Sequence, residues 1–197
     1  MEDFDFKAEE KKKSSQEIIA QITKELQNYR TEERKLEFLE KLLEKKPDQA
    51  TRRAIFILMG SLQAQRRWFN TAARSYSNAA DLAETFAEKI DLLLRSMLLF
   101  VKAQDYLEAE AVMRKALALA STKEKPEIHK ALLNAYLQQA QEFEQKKQFT
   151  KAIQVLTRVL TLKIEKDLEK ETKLKLATLY EKIGNPLEAN RIRGEIR

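Results

Sequence analysis

From Ser14 onward, apolar residues recur every three or four positions with almost no interruption. Ile18, Ile19, Ile22 and Leu26 are followed by Leu36, Leu39, Leu42 and Leu43. That spacing stacks side chains along one face of an α-helix, and such a face must be covered by another element. The 197 residues include three glycines and three prolines, and 35% are charged. Sheets and long loops need more turn residues than that, so the chain is expected to be all-α. With 43% apolar residues it can bury a sizeable core, most simply as one domain over residues 14–197.

Breaks in the helical pattern fall at Arg30-Thr31, Pro47-Asp48, Arg67-Trp68-Phe69-Asn70, Gln104-Asp105, Thr122 to Pro126, Gln148 and Gly184-Asn185-Pro186. They divide the chain into about ten helices of roughly 12–20 residues, and short connections force neighbours to lie antiparallel. Residues 1–13, MEDFDFKAEEKKK, are dense in charge and lack an apolar period, so they are expected to form a disordered tail.

Several kinds of chemistry are disfavoured at once. There is no cysteine, which removes disulfides, thiolate metal sites and cysteine nucleophiles. His129 is the lone histidine, without the partners a zinc site or a nucleophile–histidine pair requires. No glycine-rich phosphate loop occurs, and no cofactor is expected. The charge of +6 is a small difference between 37 basic and 31 acidic residues, the balance of a mixed, solvated surface. The longest apolar runs, around Leu92 to Val101, are interrupted by Arg95 and are too short to span a membrane. The acidic start does not resemble a secretory signal, and a cytoplasmic location is the default expectation.

The corner at Gly184-Asn185-Pro186 sets the phase of the chain. Leu176-Ala177, Tyr180, Gly184, Pro186 and Ala189 recur in spacing as Phe143, Lys147, Phe149 and Ala152, and as Phe100, Gln104, Tyr106 and Ala109. A further copy runs Phe56, Met59-Gly60, Arg67, Phe69, Ala72, Tyr76 and Ala79. Small residues at Gly60, Ala140 and Ala177, and at Ala72, Ala109, Ala152 and Ala189, let paired helices approach closely. Units starting near 53, 90, 133 and 170 are separated by 37, 43 and 37 residues. A step back of 37 reaches a divergent first unit near 16, with Thr23 and Lys35 at the small positions.

In these features the chain resembles the tetratricopeptide-repeat family. No copy holds the family's full tryptophan–leucine–glycine set, and a related helical-pair solenoid or an irregular helical bundle are the alternatives. The resemblance implies a right-handed α-solenoid of antiparallel helix pairs that recognises proteins or peptides on the face built by the first helix of each pair. On that basis the candidate face comprises Ile57, Leu58, Ser61 and Gln65, then Asp91, Leu94, Arg95, Leu98 and Lys102. It continues with Asn134, Leu137, Gln138 and Gln141, then Glu171, Lys175, Thr178 and Lys182. The positions that hold a C-terminal carboxylate in co-chaperones of the family are here Ile57, Ser61, Arg95, Asn134 and Gln138, without the cationic clamp.

The implied function is a non-catalytic adaptor, scaffold or assembly factor with a protein or peptide partner, acting alone, as a homodimer or within a larger complex. The alternative is RNA association through Arg52-Arg53, Arg66-Arg67 and Arg74, testable by salt-dependent retention on heparin. Trp68 is expected to plug the space between repeats, and His129 to lie partly exposed on a helix. Phe4 and Phe6, within EDFDF, could serve as a linear motif for a partner or for the chain's own groove.

Overall fold

The computed structural model describes residues 15–196; residues 1–14 and 197, and with them the tail bearing Phe4 and Phe6, lie outside the described residues. Ten α-helices and no strands make up the described chain: α1 (Ser15–Leu26), α2 (Glu32–Glu44), α3 (Gln49–Gln65), α4 (Phe69–Asp81), α5 (Phe86–Lys102), α6 (Tyr106–Leu119), α7 (Lys125–Gln145), α8 (Phe149–Thr161), α9 (Lys166–Lys182) and α10 (Pro186–Gly194). The all-α expectation holds. The helices gather into two compact units, residues 15–123 and 124–196, each described by itself below.

Four of the five corners that join first to second helices, those after α3, α5, α7 and α9, share one backbone. Arg67, Gln104, Lys147 and Gly184 each sit in the left-handed region, at φ of 62°, 63°, 55° and 78°. In each corner the amide of that residue donates to a carbonyl three residues back. The next amide reaches five back, as in Trp68 N to Gln63 O at 2.9 Å and Asn185 N to Tyr180 O at 2.8 Å. These paired bonds satisfy carbonyls that a helix end leaves free, and they require one left-handed residue, usually glycine. The chain uses glycine in one corner of four.

The 37-residue step is the length of a helix pair with its links. α3, α5 and α9 have 17 residues, and α4 and α8 have 13. The longer step of 43 is absorbed by α7, with 21 residues, by α6, with 14, and by one extra residue in the link that follows α6. That link lies in the stretch where the two units divide, and Ser121 to Glu127 are all exposed.

Two links escaped the sequence pattern, residues 82–85 and 162–165, which contain neither glycine nor proline. The first is held from outside. Arg53, 2% exposed, donates from Nη1 to Leu82 O at 2.8 Å and to Glu84 Oε1 at 3.2 Å, while its Nε lies 3.0 Å from Glu88 Oε1. Thr85 then caps α5 by accepting from the Glu88 amide at 3.2 Å.

In the first unit, α1 and α2 meet on α3, around Ile22, Leu39 and Ile55, which are at most 1% exposed. Consecutive helices α3 to α6 then pack hairpin on hairpin. Gly60 shows why a small residue is needed: a Cβ there would lie 2.8 Å from the Tyr76 ring of α4. Between α4 and α5, Ser96 is fully buried; its hydroxyl donates to Ala73 O and meets Ser77 Oγ, both at 2.8 Å. In the second unit, α7 to α10 pack consecutively around Leu132, Tyr136, Leu156 and Leu179. The alanines Ala72, Ala109, Ala152 and Ala189 are all 0% exposed.

Candidate interaction face

The first helices of the pairs present one comparable strip each. On α3, Ile57, Ser61 and Gln65 follow at one-turn intervals, with Leu58 beside them. On α5 the strip is Leu94, Leu98 and Lys102, flanked by Asp91 and Arg95. None of these residues is buried. Ile57, Leu58, Ser61 and Leu94 are half-buried, Leu98 is 37% exposed, and Gln65, Asp91, Arg95 and Lys102 are exposed. Leu58 packs against the cluster beneath α1, α2 and α3, which gives it a structural task.

In the second unit, Asn134, Gln138 and Gln141 are exposed on α7, with Leu137 half-buried among them. Glu171, Lys175, Thr178 and Lys182 are exposed on α9. Leu174, absent from the strip expected from the sequence, stands 37 residues after Leu137 and is 46% exposed. With Leu174 included, every first helix from α3 to α9 carries one large aliphatic residue at the same register: Ile57, Leu94, Leu137 and Leu174. Applying the 37-residue step to the fourth pair would have found it.

The charges on these strips are paired locally. Arg95 donates to Asp91 at 2.9 Å and Lys175 lies 2.9 Å from Glu171, both one turn apart. Exposed pairs of this kind contribute about 0.3–0.5 kcal/mol each, so an incoming charged group can replace a partner at small cost. Gln138 donates to Glu142 at 3.5 Å. Lys102 has a packing role: its ammonium lies 5.9 Å from the ring centroid of Phe69, and Lys182 repeats the arrangement over Phe149 at 5.2 Å. Phe69 and Phe149, each half-buried at the start of a second helix, thus reach the following pair.

Trp68 is not the plug expected of it. It is 46% exposed and occupies the cap position of α4 without a side-chain cap bond. The corner turns this position outward. Its equivalents, Asp105 and Asn185, accept from the Glu108 and Glu188 amides at 3.4 and 3.2 Å. The Arg66 guanidinium lies 4.6 Å from the Trp68 ring centroid and is ion-paired with Glu33. His129 is exposed one turn into α7. Among the arginines considered for phosphate contact, Arg53 is buried in its own acidic clasp and Arg66 is engaged, whereas Arg52, Arg67 and Arg74 are exposed.

Fold and face together define a helical-hairpin protein whose first helices carry a repeated aliphatic strip in a polar surround. No family model and no curated protein sequence matches the chain. Among the described residues, no helix is long and apolar enough to cross a membrane.

Proposed function

We propose that this chain is a non-catalytic interaction module of tetratricopeptide-like type, an adaptor, scaffold or assembly factor that holds a protein segment against the first-helix strips of a unit. The observation carrying this reading is the register of Ile57, Leu94, Leu137 and Leu174. Core residues in a hairpin array recur because neighbouring helices demand it. An aliphatic residue that recurs at a position left partly open to solvent is not required by packing in the same way.

The chemistry fits a peptide. Aliphatic anchors remove apolar side chains from water, glutamine and asparagine can satisfy an extended backbone, and the paired charges adapt to either sign. The burial of Arg53 in its acidic clasp weighs against a phosphate-binding edge.

The test is selection of a displayed random-peptide library on the full chain and on its Leu98→Asp and Leu174→Asp variants. Both leucines are exposed enough for the substitutions to spare the core. The expected result is an enriched motif with an apolar anchor, retained at least about tenfold less by one of the variants, equivalent to about 1.4 kcal/mol. Equal retention on all three proteins would exclude the strips as the binding face.

A further inference from the structure

We infer that the corner Arg66-Arg67-Trp68 is a docking site for an acidic segment bearing aromatic residues, and that its occupant is residues 2–6 of this same chain. The starting observation is a broken local rule. Two of the three equivalent positions hold a capping Asp105 or Asn185, whereas here a tryptophan leaves the α4 amides uncapped and stands 46% exposed. Losing a cap costs about 1 kcal/mol, and exposing a tryptophan forgoes burial as well. Large exposed aromatics beside arginine are typical anchors of binding sites.

The sequence that runs through the corner carries one sign of charge, and the acids near it, Glu33 against Arg66 and Asp105 beside Asn70, come from other helices and corners. Residues 49–80 contain five arginines and no acidic residue. Among the described residues, Glu33 is the acid set against Arg66, and Arg67 is exposed. Residues 1–6 have the complementary composition: Glu2, Asp3 and Asp5 with no base, around Phe4 and Phe6. Alternation of acid and aromatic would place both rings on one side of an extended segment and Asp3 and Asp5 on the other. Rings against the indole and carboxylates toward the guanidinium groups then occur together.

The geometry allows the reach. Glu33 at the start of α2 pairs with Arg66 at the end of α3, so α2 runs antiparallel to α3. α1 ends at the link into α2 and packs on α3, so it runs alongside α3, with Ser15 at the end away from the corner. α3 is about 25 Å long at 1.5 Å per residue. The nine residues from Phe6 to Ser15 span up to about 30 Å. A tether of this length supplies an effective concentration on the order of millimolar, so even a contact with a Kd of about 1 mM would be roughly half occupied.

The chain has no cysteine, so Lys7→Cys provides a single attachment point without removing an acid. A bimane label there is quenched by tryptophan only near contact, and Trp68 is the sole tryptophan. The expected result is emission at least about twofold higher in Trp68→Phe, and equally higher in Phe4→Ser/Phe6→Ser. It should also rise at high salt and be independent of protein concentration. Emission unchanged by either set of substitutions overturns the inference. Quenching that grows with concentration overturns it too, by assigning the corner to a second copy. The peptide selection varies α5 and α9 and leaves Trp68 and the tail intact, so either result can fail without the other.

Discussion

Lys147 and Gly184 perform the same backbone task in neighbouring corners of one unit, and exchanging their chemistry isolates what that task costs. In Gly184→Ala the new Cβ meets nothing within 4 Å, so no steric clash contributes. The residue must nevertheless hold φ near 78°, a conformation costing an L-residue about 1–2 kcal/mol. Alanine recovers about 0.4–1 kcal/mol by stiffening the unfolded chain, leaving a net loss of about 1 kcal/mol. Lys147→Gly runs the cycle backwards. Lys147 is exposed and already pays the left-handed cost at φ 55°, so glycine should stabilise by about 0.5–1 kcal/mol. Both residues lie in the unit of residues 124–196. For a body of that size 1 kcal/mol moves Tm by about 4–8 °C. Thermal melts followed by circular dichroism at 222 nm should therefore move in opposite directions for the two variants, with Gly184→Asn falling between Gly184→Ala and the native chain. A neutral Gly184→Ala, or a Lys147→Gly that loses more than about 1 kcal/mol, would refute the account of the corners.

Other substitutions probe the packing and the caps. Gly60→Ala should destabilise by about 1–2 kcal/mol in urea titrations despite alanine's better helix propensity, because its Cβ meets the Tyr76 ring at 2.8 Å. Arg53→Ala should cost about 2–3 kcal/mol, less than a fully buried pair, since Glu84 is 55% exposed and can rehydrate; loss below about 0.5 kcal/mol would remove Arg53 as the clasp of the α4–α5 link. At Asp48, burial pushes the carboxyl up. Hydrogen bonds from the Thr51 hydroxyl and the Thr51 and Ala50 amides outweigh it, holding the group below its ordinary 3.8. The stability this contributes is present above that value and is lost as pH falls through the lower folded pKa. Asp48→Asn should keep the cap bonds to the Ala50 and Thr51 amides but lose the charge-dependent part of the neutral-pH stability, flattening the acid limb below about pH 4, and an unchanged limb would contradict the assignment.

Most of the fold was legible because its constraints repeat. The small residues, the corners and the apolar period are imposed by neighbours at a fixed distance along the chain, so each copy corrects the reading of the others. Residues 82–85 and 162–165 escaped because what turns the chain there is not local composition. Arg53 reaches the first link from about thirty residues away in sequence, and no window centred on the link contains it. A nearer signal was present: Thr85 and Glu88 have the spacing of a cap and its third-position acid, and Glu88 Oε2 accepts from the Glu84 amide at 3.3 Å.

The strips and the corner differ from the core in what makes them informative. At a core position the residue type is dictated, and a match to the pattern establishes little beyond packing. At an outward position the pattern is silent, so information lies either in an unforced recurrence or in a departure from what the backbone favours. Leu174 belongs to the first kind: it stands between Lys173 and Lys175, and only its register with Leu137 marks it. Trp68 belongs to the second. Judged by type, a tryptophan beside Phe69 looks like core. Judged by register, it shares the place of Asp105, Gln148 and Asn185, none of them buried, where a short oxygen-bearing residue best serves the next helix. The residue that fits the register least is thus the one whose presence demands a cause outside the hairpin, and an acidic, aromatic segment is the chemistry that Arg66, Arg67 and an exposed indole would hold.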